Sequence, residues 1–416
     1  MRLFHPNRFL AALAAGLLTS SGSAFAQPGK PAEPLALIRA NVLDVRTGRI
    51  AANQTVTLRD GKVESISGAP AAAGIKTVDV SGRTLVPGLS DAHTHISNFA
   101  SARRALESGV TTARSSGASL FVDVGLRDLV RAGGLPGPDV LASGYHVRER
   151  LAEEAFVSDP SLADLMGGVK TIADIRRVVR MNLARGVDWI KINATERAGT
   201  ADTDPRKQMW NEAEIRAIVE EAALKGVRVQ AHAHGAEGAL AAVKAGVASI
   251  EHGTYLTDEA LDMMRLKGIA FVPTYSTVID LAEPGGDYDQ PALILRGQAM
   301  LPRLAEAVRR AHQKGVLIVT GADTGYGPTS LTRVSHEIEN FVKFGMSPIE
   351  AIRTATLNAA TLFKMERSIG AIEPGFEADL IAVAENPLDD VRTLQDPLLV
   401  VSNGRVVLDR LNFGKK

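Results

Sequence analysis

The sequence predicts an α/β protein: a (β/α)8 barrel of the TIM type that carries a small β-sandwich built from both chain ends. Three observations predict it. Short β-branched segments alternate with segments of helical hydrophobic period from residue 87 to residue 369. Brief β-type runs without helices between them fill 27–86 and 370–416. No Gly-x-Gly-x-x-Gly or Gly-x-x-x-x-Gly-Lys loop marks an open, doubly wound nucleotide-binding sheet.

The N-terminus differs from the rest. Arg2 and Arg8 precede an apolar run over 9–18, and Ala24-Phe25-Ala26 stands before Gln27. That order predicts a secretory signal over 1–26, cleaved near Ala26, and hence a secreted or periplasmic product. The run falls short of the roughly 20 apolar residues a spanning helix needs, so stable membrane insertion is not expected. Residues 27–34 read as a polar, Pro-containing linker. Strands are predicted at 36–45, 54–58, 63–66 and 76–80, separated by the Arg59-Asp60-Gly61 and Ser81-Gly82 turns. At the other end 380–383, 398–402 and 405–408 read the same way, and Asn403-Gly404 suits a tight hairpin. Residues 27–86 and 370–416 are therefore the two parts of the sandwich, and 87–369 is the barrel.

Within the barrel, strand and helix alternate as 189–192 with 211–225, 227–231 with 236–245, and 257–267 with 269–272. Gly186, Gly226, Gly246, Gly268 and Gly315 each follow a helix, where a left-handed cap belongs. In such a barrel, chemistry sits at the C-terminal ends of the strands.

Composition removes several classes of function. Lys+Arg and Asp+Glu are both 47 and no like-charge block stands out, so nucleic acid and anionic membrane surfaces are poor partners. After loss of 1–26 the balance is 45 basic against 47 acidic residues. With 0 Cys, neither a disulfide framework nor a thiolate nucleophile or metal site is available. A metal would have to be held by His, carboxylate or a modified Lys. Self-association is left open.

Four predicted strands end in groups that suit a metal. Residues 85–95 close with His93-Thr94-His95, and imidazoles two apart on a strand face the same side. Residues 227–234 reach His232 and His234, 248–253 reach His252, and 316–323 end in Asp323. Imidazole and carboxylate suit Zn²⁺, and equally Mn²⁺, Co²⁺ or Fe²⁺. A fifth strand ends in Lys191. A protonated ammonium cannot ligate a cation, so Lys191 is either a salt-bridged side chain or, beside metal ligands, a neutral amine able to add CO₂.

The order His93-x-His95, Lys191, His232, His252, Asp323 resembles the metal-dependent amidohydrolase superfamily. Residues 370–380 look like its return to the small β-domain, and the resemblance covers almost the whole mature chain. Gly109-Val110-Thr111-Thr112, 186–191, Glu251-His252-Gly253 and 355–360 are similar to the imidazolonepropionase-like branch, which includes Xaa-Pro dipeptidases, carboxypeptidases and ochratoxin-type amidases. The resemblance implies two divalent metal ions, Zn²⁺ foremost. His93, His95 and Asp323 would hold one, His232 and His252 the other, and a Lys191 carbamate would bridge them. It implies that the metals lower the pKa of a bridging water and polarise an amide carbonyl, with Asp323 as proton shuttle to the leaving amine. The implied substrate is a dipeptide, an Xaa-Pro or carboxypeptidase-like substrate, or an N-acyl amino acid such as an ochratoxin-type amide.

Other residues carry weaker expectations. His234 either touches substrate or is an inert polar neighbour. His146 and Arg148 suit an oxyanion or carboxylate contact, or belong to a solvated loop. His312 reads as a surface helix residue and His336 as a structural one. Two departures from the pattern stand out. Asn193-Ala194-Thr195-Glu196-Arg197 replaces the Ala-Thr-Gly-Gly that follows the bridging Lys in many relatives, and Arg114-Ser115-Ser116-Gly117 lacks an acidic residue common after that Arg. Arg197 either grips a substrate carboxylate or pairs with Glu196 or solvent. Two rival functions remain: ring opening of a cyclic amide, and a periplasmic binding protein that keeps metals without turnover. A strand-end Lys191 speaks against the first, and an intact Asp323 against the second.

Overall fold

The computed structural model describes residues 32–412. The expected signal over 1–26 lies outside them. The chain starts with β1 (Leu35–Asp44), β2 (Arg49–Arg59), β3 (Lys62–Ser67), β4 (Lys76–Asp79) and β5 (Thr84–Pro87). The alternating region follows, with β6 (Leu89–Thr94), β7 (Val110–Ser115), β8 (Asp139–Leu141), β9 (Trp189–Asn193), β10 (Arg228–Ala233), β11 (Ser249–His252) and β12 (Ala270–Val272). It closes with β13 (Leu380–Val383), β14 (Leu399–Ser402) and β15 (Arg405–Asp409).

Strands from the two chain ends join as the sequence suggests. They do so in one mixed sheet of eight strands, ordered β15-β14-β13-β5-β1-β2-β3 with β4 on β1, so two separate facing sheets are not seen. The physical reason is β5, which bonds on both edges: Asn41 and Val42 of β1 lie parallel to Thr84 and Leu85, while Leu380–Val383 run antiparallel to Thr84–Pro87. Alternate residues Leu35, Leu37, Val56, Leu58, Leu380, Ala382, Leu399 and Val401 build a core of their own. Asn403 and Gly404 both have positive φ, as the turn between β14 and β15 requires.

In the alternating region the ladders are parallel and form two arcs, β6-β7-β8 and β12-β11-β10-β9, rather than an unbroken ring. At one gap Val147 bridges Ile192; at the other, residues 316–324 touch β12 through Phe271–Ile318 and β6 through Thr94–Thr324. The expected strand over 316–323 is thus reduced to isolated bridges. Its backbone leaves the extended region at Asp323, where φ is 47°. Gly321 is pressed so closely onto β12 that a Cβ there would lie 2.5 Å from the Val272 side chain.

The helices pack outside the arcs for reasons visible in sequence. Ile190, Ile192, Val229, Ala231 and Ile250 point outward into the main core, together with Ile215, Ile218 and Leu261 from the helices. The alternate residues Trp189, Lys191, Gln230, His232, Ser249 and Glu251 are buried on the other face. Asn211 caps helix Glu212–Ala223 reciprocally with Glu214, and Gly246 and Gly268 end their helices in the left-handed region.

Candidate metal and catalytic centre

The interior faces of β6, β9, β10 and β11 converge with Asp323 on one point. His93 Nε2 lies 3.3 Å and His95 Nε2 3.1 Å from Asp323 Oδ1, and His252 Nδ1 lies 3.9 Å from Asp323 Oδ2. The rings of His232 and His252 are 4.5 Å apart between centroids, those of His93 and His252 4.9 Å. Ligand atoms form two groups, His93/His252/Asp323 and His232/His234/His252, each with all atoms within 4.8 Å of one another. His252 belongs to both. It ends β11 with φ 71°, a strained conformation for a residue with a Cβ, and that turn brings its ring back over the site.

Burial sets the protonation of these groups. It is the main cause that lowers the pKa of His232 and His252 far below the ordinary imidazole value and that of His234 to about 3. All three are neutral near pH 7, the form that ligates a cation. Asp323 is held well below the usual carboxylate range; burial opposes this, but His93 and His95 outweigh it. Lys191 is brought down to about 8 by burial, against the pull of Glu251 and Asp323. Its Nζ is buried and has no hydrogen-bond partner. An orphaned amine among neutral imidazoles is costly unless something else occupies the space, and it is this atom that fits a bound cation or a carbamate.

A second layer fixes the ligands. Glu251 Oε2 accepts from His93 Nδ1 at 2.8 Å, and its other oxygen takes bonds from Arg114 at 2.8 Å and Ser249 Oγ at 2.5 Å. Burial acts to raise Glu251, but the Arg114 guanidinium and His93 hold it at about 2. Arg114 also donates to the Ala92 carbonyl and stacks 4.6 Å from the Trp189 ring. His252 Nδ1 meets Thr274 Oγ1 at 2.7 Å and His234 Nδ1 meets Thr254 Oγ1 at 2.9 Å. Each leaves Nε2 for the site.

The site opens outward in two steps. An inner cavity of about 50 Å³ is lined by the histidines, Lys191 and Asp323 and by Val278, Leu281 and Tyr288. It shares His95, His146 and Arg197 with an outer cavity of about 260 Å³ that Arg148 also lines. The inner space holds little more than ions and a water or two, so a substrate must extend into the outer one. His146 bonds Asn193 Oδ1 at 2.9 Å and stacks on His95. Arg197 does not pair with Glu196, which is bonded instead by Lys207 at 2.6 Å and by the Asp204 N–H. Arg197 is exposed and makes no hydrogen bond through its side chain among the described residues.

Thus the six ligand candidates meet at one place, and His146, Arg148, Arg197 and His234 all line the same opening. His312 and His336 sit on helices away from it, with His312 3.5 Å from Glu350. Sequence reasoning missed Arg114, Glu251, Tyr288 and Arg296. Arg296 donates to four carbonyls, those of Ala198, Thr200, Ala201 and Thr203, and so shapes the loop after β9 that carries Arg197. Only Glu251 and Arg114 had a signal: buried charges on strands, one just before a ligand.

The alternating fold with a histidine and carboxylate cluster at the strand ends defines a metal-dependent hydrolase class. Residues 84–407 match the amidohydrolase family, and the chain belongs to it. The chain is 31% identical over 359 residues to ochratoxinase from Aspergillus niger, covering 76% of this chain and 73% of that one. Among solved structures it resembles a Xaa-Pro dipeptidase with methionine in its active site, at TM-score 0.80 and 27% identity over 90% of this chain and 99% of the other. It also resembles a prolidase complexed with N-methylphosphonate-L-proline, at TM-score 0.78 and 25% identity over 90% and 100%. The chain is therefore a hydrolase acting on carbon–nitrogen bonds of small molecules. No helix among the described residues is long and apolar enough to cross a membrane.

Proposed function

We propose that the protein hydrolyses the amide bond of a dipeptide or N-acyl amino acid in a binuclear centre, with Zn²⁺ as the metal and Lys191 carbamylated between the two ions. The observation that carries this reading is Lys191 Nζ, buried without a partner beside two overlapping ligand groups. His93, His95 and Asp323 would hold one ion and His232 and His252 the other, and His234, grouped with His232 and His252, would serve as a further ligand to the second. When bound, the ions supply an activated water and polarise the scissile carbonyl.

The chain's own residues do the rest. Asp323 belongs to one ligand group and lies 3.9 Å from His252, which the two groups share, so it is placed to take a proton from water and deliver it to the leaving nitrogen. Glu251 fixes the His93 tautomer by accepting from Nδ1–H. Val278, Leu281 and Tyr288 give the inner cavity an apolar wall and limit water. Arg197 and Arg148, at the outer cavity, suit a substrate carboxylate. The two arcs and residues 316–324 are taken as the eight staves of one barrel, 27–86 and 370–416 as the flanking unit. Export with cleavage near Ala26 belongs to the same reading, supported by the Arg-flanked apolar run of 9–18.

The test is a panel of Xaa-Pro dipeptides, N-acyl amino acids, cyclic amides and aryl amides, assayed with and without chelator. Chelator-sensitive cleavage of amides bearing a free carboxylate is expected. Turnover of cyclic amides alone, or of no amide, would replace this reading with one of its rivals.

A further inference from the structure

Asp139, Glu377 and Asp379 bring their carboxylate oxygens within 4.8 Å of one another. Asp139 is the first residue of β8, so the cluster lies at the N-terminal ends of the strands, whereas the histidines occupy the C-terminal ends. Glu377 and Asp379 lead into β13 of the end sheet. Asn403, in the turn after β14, ties the two together: its N–H donates to Asp379 Oδ1 at 2.7 Å and its Nδ2 to Asp139 Oδ2 at 3.2 Å.

The cations around the cluster are Arg131, Lys62 and Arg405, of which Arg131 and Arg405 line the adjoining cavity. Arg131 pulls on Asp139 and Lys62 on Glu377, each by less than burial pushes the other way, while their close contacts are with Asp188 at 3.7 Å and with the Gly375 carbonyl at 3.1 Å. Asp379 is only 6% exposed, and its Oδ2 is buried with no hydrogen-bond partner. Glu377 Oε2 is buried and unpartnered as well. Burial, and after it the neighbouring Asp139, push the Asp379 carboxyl well above its ordinary range and Glu377 up to about 7. A cavity of about 710 Å³ lined by Asp139, Glu377, Asp60 and Asn403 adjoins the cluster, with room for water. Three carboxylates from two structural units, two of them presenting unused buried oxygens, are a donor set awaiting a cation.

We propose that Asp139, Glu377 and Asp379 form a second cation site, separate from the histidine centre, which takes a hard divalent ion of the Ca²⁺ class and ties β8 to the end sheet. The donors are all oxygen, which favours Ca²⁺ over Zn²⁺. Flexible coordination with several waters suits Ca²⁺ better than the stricter octahedron of Mg²⁺.

The experiment uses the full chain loaded with Zn²⁺, titrated with CaCl₂ while heat of binding and thermal midpoint are followed. One equivalent of Ca²⁺ should bind and raise the midpoint, with hydrolysis unchanged. Asp139→Asn should abolish the Ca²⁺ response and, in Ca²⁺-free buffer, melt above the native chain because one like charge is gone. Glu377→Gln serves as a second variant with the same expectation. No Ca²⁺ binding to the native chain, or a Ca²⁺ response in the two variants equal to that of the native chain, would overturn the proposal. So would a native chain that ignores Ca²⁺ and gains stability only on acidification, since the carboxyls would then be holding protons.

Discussion

Arg114 and Glu251 form an ion pair of 2.8 Å in which neither side chain is exposed to solvent. The pair lies one layer below the candidate metal ligands and reaches them through the bond between Glu251 and His93. Orientation of His93 therefore depends on a carboxylate that is itself affordable in the interior only because Arg114 stands beside it.

Glu251→Gln should act on both levels. It leaves Arg114 buried without its counter-charge, which costs about 3–5 kcal/mol of stability. It also weakens the hold on His93, for which a loss of about 10–100-fold in metal affinity is expected. Denaturant melts and metal titration of the variant measure the two effects. Unchanged stability with unchanged metal affinity would mean that the pair is incidental.

Arg197 stands at the mouth with no partner among the described residues, on a loop held by Arg296. Arg197→Ala should raise KM for amides carrying a free carboxylate by about tenfold or more, the worth of a charge-assisted hydrogen bond. Neutral amides should be spared. Equal changes for both substrate types would count against a carboxylate clamp.

Glu337 provides a stability signal that depends on pH. It is buried and accepts from the Tyr275 N–H, the Ser276 N–H and Ser276 Oγ, anchoring the helix Tyr275–Ala282 that walls the inner cavity. Burial outweighs those bonds and pushes its carboxyl up to about 7 from 4.5. A raised carboxyl pKa means that the folded chain binds more protons than the unfolded one between those values, so stability falls as pH rises through that window. The cost above pH 7 is about 3 kcal/mol. Melts of the native chain and Glu337→Gln from pH 5 to pH 8 should show the native advantage shrinking as pH rises. An advantage that grows with pH would show that the three donors hold the carboxylate ionised instead.

Much of this was legible in the sequence because the alternating region repeats one rule. A strand with period-2 alternation ending in His or Asp places that residue at the same end each time, so His93, His232, His252 and Asp323 could be grouped without coordinates. The glycines after the helices were legible too, since each needs a positive φ that other residues resist. The end strands were legible as strands, but not their merging into one sheet, because sequence does not show that β5 bonds on both edges. The stretch 316–323 reads as a strand by composition, yet it pairs with β12 only through the isolated bridge Phe271–Ile318 and leaves the extended region at Asp323. Arg114 was noticed only for the acid missing after it; its partner Glu251 lies 137 residues away, a pairing that only the fold reveals. Tyr288 and Arg296 lie outside any strand end and carried no local pattern.

The most direct test of the central claim is metal content and amide hydrolysis in the native chain and Lys191→Ala, prepared without chelator and with bicarbonate present. The account predicts two divalent ions per native chain. In the variant one or both are lost and kcat falls by at least about 10³-fold, the scale of losing a group that organises charge at the reacting centre. Native protein with less than one equivalent of metal, or full activity in Lys191→Ala, would contradict it.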